Sequence, residues 1–172
     1  ATLVEKLFDL SALAVLAAGD IPLGRLWAHF VLGLLAVRRT APEANPFLDE
    51  LWRLAVRLDL PGILATAAAA LAEQVWISRR PDPRLDDAAA ATWLQLPGPA
   101  GERLRRWAWR LAEAALPQLG DGVPPVPATV PPGDLPYERA LALSDEGSVD
   151  GLVAALPLLD GLGAHSVAAL VR

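Results

Sequence analysis

The chain has 172 residues, of which 53% are apolar and 20% charged, and a net charge of −5. That length suits one domain with a sizeable core, and the apolar fraction excludes a disordered chain, because burial can offset the entropy of ordering. The negative balance argues against the whole chain serving as a nucleic-acid or anionic-lipid surface. With no cysteine, disulfides and thiolate metal sites are excluded, in keeping with a reducing, cytoplasmic setting.

Ala and Leu dominate and β-branched residues are sparse, which favours helix over strand. Thr2 and Glu5 have the capping-box spacing and predict a helix ending at Ala18, with Gly19 as its left-handed cap. Asp20-Ile21-Pro22 opens a second helix through Arg38 and Arg39, whose charges suit the negative end of the macrodipole. Asn45-Pro46 is a cap followed by proline at the first helical position. Leu48, Leu51, Trp52, Ala55 and Leu58 then form one apolar stripe. Pro61-Gly62 breaks the chain, and the Ala-rich residues 63–78 make the second arm of an αα-hairpin, with Leu51, Trp52 and Leu58 expected to face it.

Residues 79–83 read as a loop, 85–96 as a short helix and 101–119 as a longer one. Residues 120–136 hold six prolines and predict an extended linker or strap. Residues 137–143, 149–162 and 167–172 read as three short helices, the middle one kinked at Pro157 and the last starting after Ser166. The expected fold is all-α: stacked antiparallel helix pairs in a degenerate, tetratricopeptide-like α-solenoid. Residues 1–119 form its bundle, 120–136 the strap, and 137–172 a C-terminal unit packed on the same domain.

Residues 7–37 and 60–77 are apolar, but charged residues interrupt both well short of the ~20 residues a membrane span needs. No phosphate-binding loop, dinucleotide fingerprint, zinc-protease motif or nucleophile elbow occurs, so no catalytic site, cofactor or metal is expected. His29 and His165 stand alone, and His29 beside Trp27 and Phe30 reads as a packed residue. Asp82, Asp86 and Asp87 have a spacing like the magnesium motifs of helical isoprenoid synthases. Pro83 places Asp82 in a loop, however, and acids at a helix N-terminus already suit the dipole.

The one basic-aromatic cluster is Arg103, Arg105, Arg106 and Arg110 with Trp107 and Trp109. Arg103, Arg106, Arg110, Trp107 and Trp109 are candidates for an interaction surface that grips phosphate or stacks bases. The plainer reading is a helix with Leu104, Trp107, Ala108 and Leu111 inward and its arginines solvated.

Residues 134–143, D-L-P-Y-E-R-A-L-A-L, with L-L-D-G-L-G-A at 158–164 and the Arg-ended segment 167–172, resemble the end of the helical-repeat region of bacterial LuxR-type and MalT-like regulators. V-L-G-L-L-A-V-R-R at 31–39, L-D-E at 48–50, and Gly101-Glu102 with Trp107, Trp109 and Arg110 are similar to earlier parts of that region. The tryptophan-bearing helix that precedes P-Y-E in the family is replaced by the proline-rich stretch, and the first helix pair is shorter.

The resemblance implies a non-catalytic sensor or interaction module that binds a protein partner or small inducer on a concave helical face. It would act on attached ATPase and DNA-binding domains without binding specific DNA itself or entering a membrane. A stand-alone tetratricopeptide-like adaptor and a helical enzyme of the isoprenoid-synthase type are the alternatives.

Overall fold

Proline opens five of the helices, at the position where its missing N–H has no intrahelical partner to lose. The computed structural model describes residues 10–39, 45–86, 89–116, 119 and 136–171. Among these there are nine α-helices and no strand. In chain order they are α1 (Leu10–Ala18), α2 (Pro22–Arg39), α3 (Pro46–Leu58), α4 (Pro61–Ser78), α5 (Ala89–Leu94), α6 (Pro99–Glu113), α7 (Pro136–Asp145), α8 (Val149–Gly161) and α9 (His165–Val171). A single 3-10 turn, Pro83–Leu85, leads into α5. None of the described helices is long and apolar enough to cross a membrane.

The helix ends follow from local chemistry. Asn45 caps α3, its side-chain oxygen accepting from the N–H groups of Phe47 and Leu48, while its amide nitrogen donates to the Gly33 carbonyl of α2 at 2.9 Å. One residue thus starts a helix and ties it to its neighbour. Asp59 turns left-handed after α3, and α4 begins two residues before the expected 63 because Pro61 serves as its first residue. The expected cap box at Thr2 lies outside the described residues. Gly19 departs from expectation: it donates to the Leu16 carbonyl at 3.2 Å without adopting a left-handed φ.

Later boundaries also differ, among them the start of α6, at Pro99 rather than 101. The helix expected over 85–96 is split into the 3-10 turn and α5. α6 stops at Glu113 rather than 119, because Ala115 adopts a φ of 54° and the Leu116 N–H returns to the Leu111 carbonyl at 2.8 Å. Pro117 follows at once in the sequence and bars helix before it. α9 starts at His165, so Ser166 lies inside it rather than before it. The expected strap falls outside the described residues except for Pro136, which opens α7.

α4 is the hub. Twelve of its residues are buried, Leu64 to Ala72 without interruption, so its whole circumference is covered. It packs against α2, α3, α5, α6 and α9, most extensively against α6. Its alanines allow these close approaches. On α3, Leu48, Leu51, Leu54 and Ala55 are buried, whereas Trp52 is half-buried and meets Trp93 edge-on at 5.9 Å.

A register links the openings of four helices, of which α2 packs on α4 and α4 on α6. α2, α4, α6 and α7 open on Pro22, Pro61, Pro99 and Pro136, successively 39, 38 and 37 residues apart. In chain order α3 lies between the first two and α5 between the next two, whereas no described helix separates α6 from α7, and α8 follows α7. The C-terminal α9 returns to pack on α2 and α4.

Candidate functional site

A carboxylate in a helix buried on every side must be paired, because its desolvation cost is otherwise prohibitive. Glu73 of α4 is 2% exposed. Arg38, in the last turn of α2, donates to it through Nε at 2.6 Å and Nη2 at 3.0 Å. The Tyr137 hydroxyl, from the first turn of α7, donates to the same carboxylate at 2.7 Å. The Arg38 guanidinium lies 3.7 Å above the Tyr137 ring. Three helices distant in sequence therefore converge on one negative charge.

The electrostatics follow from that geometry. Burial works against the Arg38 charge, but the adjacent Glu73 carboxylate and its hydrogen bonds outweigh it and raise the guanidinium above its ordinary range. Burial, reinforced by the Glu73 charge, pushes the Tyr137 phenol well above 10.0. The phenol is thus held as a neutral donor, which a carboxylate acceptor requires.

The basic-aromatic cluster of α6 forms a second set of contacts. Arg110, 5% exposed, donates to Asp145 of α7 through Nε at 3.1 Å and Nη2 at 2.6 Å. Its guanidinium lies 4.6 Å from the ring centre of the buried Trp107, which in turn contacts Trp76 of α4. Arg106 makes a long ion pair with Glu138 at 3.9 Å. Arg105 donates to the Leu94 and Leu96 carbonyls, and Arg103 sits over the Phe30 ring. Leu104, Trp107, Ala108 and Leu111 do face the core, but the arginines are not a solvated face, since each reaches a partner within the fold. Trp109 is half-buried.

Arg38–Glu73, Asp49–Arg84 and Arg110–Asp145 each join residues 35 apart in the chain. That separation is close to the helix register, so each pair reaches from one helix unit to the next. Arg106–Glu138 and Arg110–Asp145 advance together along both helices, so α6 and α7 run in the same direction.

A polar cleft of about 260 Å³ is lined by Asn45, Asp49, Gln74, Ser78, Arg80, Pro81, Asp82 and Arg84. Arg84 binds Asp82 and Asp49 across it. Burial opposes ionisation of Asp82, but the Arg84 hydrogen bond and charge hold its carboxyl below the usual range. Asp82 is therefore committed to Arg84 and to capping the 3-10 turn. Asp86 is exposed, and Asp87 lies outside the described residues. Among the described residues no group of three or more His, Asp or Glu side chains is arranged to hold a metal ion. His29 is buried, with Nδ1 2.7 Å from the Arg25 carbonyl, as a packed histidine would be; His165 is exposed.

Glu73 went unrecognised as a functional residue at the level of sequence, where it only interrupted an apolar run. The signal was present: an acid inside an alanine-rich helix with no polar face needs partners from elsewhere. Searches against protein-family models, curated proteins and solved structures found no match to this chain.

Proposed function

We propose that the chain is a non-catalytic sensor or interaction module, the helical-repeat part of a cytoplasmic bacterial transcriptional regulator of LuxR/MalT-like type. The observation that carries this reading is the meeting of Arg38 and Tyr137 on Glu73. The two residues come from two of the stretches that carry the family resemblance, V-L-G-L-L-A-V-R-R and P-Y-E. Trp107 and Arg110, from a third such stretch, join the same C-terminal helix through Asp145.

The 37–39-residue register supports a degenerate tetratricopeptide-like solenoid with α2, α4, α6 and α7 as equivalent helices. In this reading residues 1–119 form the repeats, 120–136 the strap, and 137–172 a unit docked on them largely by side-chain contacts. A protein partner or small inducer on the concave face acts by favouring the docked or the undocked arrangement. It shifts the balance only by the difference in its affinity for the two. Attached ATPase and DNA-binding domains would read out that balance.

The flanking coding sequence tests the proposal. An upstream phosphate-binding loop and a downstream helix-turn-helix are expected; finding neither would overturn the regulator in favour of the stand-alone adaptor. The adaptor reading has one observation of its own, the apolar face that α1 and α2 leave exposed.

A further inference from the structure

One of the helices that cover α4 comes from the far end of the chain. α9 packs on α2 and α4, and α3 packs on the same two helices, yet α3 and α9 share no comparable contact. They therefore lie on opposite faces of the α2–α4 pair. α3 is fixed there by Asn45 and by its row of buried leucines. α9 is seated by small apolar side chains instead: Ala164, Val167 and Ala168 are at most 2% exposed, and Val171 packs against the core. Their spacing, i, i+3, i+4 and i+7, makes one face of a helix, while His165 and Ala169 turn to solvent.

α9 has seven residues, too few to keep a helix without the surface beneath it. It follows α8 through a turn in which Gly163 has a φ of 67° and donates to the Asp160 carbonyl at 3.0 Å. That turn is a hinge, and glycine supplies the conformational freedom it requires. α7, by contrast, is tied to α4 and α6 through Glu73, Glu138 and Asp145. Release of α9 gives up a few small apolar contacts and leaves those charged ties of α7 in place.

We propose that α9 is a displaceable lid on the α2–α4 face, and that a protein partner takes its seat with a short helix of the same kind. That helix presents small apolar residues at i, i+3, i+4 and i+7. A face moulded to Ala164, Val167 and Ala168 has no room for bulky anchors, and docking of a helix in a groove reads this spacing. While α9 is seated, its effective concentration, on the order of millimolar for a short tether, keeps the partner out. The partner rests on the sensor reading above. The seating and release of α9 are measured on this chain alone and stand apart from the test by flanking sequence.

The chain has no cysteine, so one introduced thiol reports on one place. Labelling by a disulfide reagent without denaturant is compared for Val167→Cys under α9, Ala70→Cys in α4 and Ala169→Cys on the open face of α9. The Val167→Cys thiol should react at least about a hundredfold faster than the Ala70→Cys thiol, and with a much weaker dependence on urea, because α9 opens without the rest. A peptide of residues 163–171 at about 1 mM should speed that reaction severalfold by occupying the uncovered face. The same peptide carrying Val167→Asp should not. Equal rates and urea dependence for Val167→Cys and Ala70→Cys would make α9 a fixed part of the core and overturn the proposal. So would a Val167→Cys thiol as open as that of Ala169→Cys, a peptide without effect, or a Val167→Asp peptide that works as well. If Val167→Cys does not fold, Ala168→Cys decides.

Discussion

Glu73 concentrates the risk in this fold. Its two Arg38 bonds and one Tyr137 bond offset the desolvation of a carboxylate that solvent hardly reaches. Glu73→Ala should destabilise the chain by about 3 kcal/mol, the low end for breaking a buried pair, because Arg38 is partly exposed and can rehydrate. Urea unfolding followed by circular dichroism measures it; a loss below about 1 kcal/mol would mean the carboxylate is not desolvated. Tyr137 gives a pH signature. It is the chain's one tyrosine, so tyrosinate absorbance titrates this site alone. Its folded pKa is raised above 10.0, so the unfolded chain releases the proton first. Stability is intact below about pH 10 and declines above it, and Tyr137→Phe should remove that part of the alkaline slope. Equal slopes in the two proteins would place the phenol in solvent.

At the scale of elements, helix contacts sort the glycines by what stands next to them. A Cβ on Gly101 would fall 2.0 Å from the Leu96 carbonyl oxygen, a backbone atom that cannot move aside. Gly101→Ala should therefore cost about 3 kcal/mol, the upper end for overpacking. Gly33→Ala should cost less, about 1–2 kcal/mol, since its clash is with the Leu48 side chain at 2.4 Å. Gly62 faces open space in the first turn of α4, and Gly62→Ala should stabilise by up to about 1 kcal/mol. Thermal melts of the three should fall in that order, and an inverted order would mean that the α5–α6 and α2–α3 approaches are looser than described. On α3 the cost of a truncation depends on burial. A fully buried tryptophan costs about 3–5 kcal/mol on truncation, but Trp52 is half-buried against Trp93, so Trp52→Ala should cost about 2 kcal/mol.

At the scale of the molecule, the proposed role makes a functional prediction. The chain alone should neither hydrolyse ATP nor select promoter DNA. No phosphate-binding loop is present in the sequence to hold and polarise a γ-phosphate. The arginines of α6 are committed to Asp145, Glu138, backbone carbonyls and aromatic rings, which leaves them poorly placed to neutralise DNA phosphates. Gel shifts at about 150 mM salt should show at most the ~10⁻⁴ to 10⁻⁶ M affinity of non-specific binding. A sub-micromolar site preferred over scrambled DNA would sink the sensor-module reading.

The sequence by itself determined that the chain is helical, to within a few residues where most described helices begin, and that residues 63–78 make an Ala-rich helix. Those properties are local: proline fixes its own φ, Asn45 caps the amides that follow it, and an uninterrupted Ala/Leu run has no polar face to show to water. It also held the 37–39-residue spacing of Pro22, Pro61, Pro99 and Pro136, overlooked because the side chains that follow each proline differ. The tertiary structure alone decided the partners. Arg38 looked like a helix-end charge and Arg110 like a solvated one, and each instead meets a carboxylate 35 residues away. A charged side chain's role depends on which opposite charge comes within about 4 Å of it and on whether water is excluded there. Both are properties of how α2 meets α4 and α6 meets α7, and neither is written at the position of any one residue.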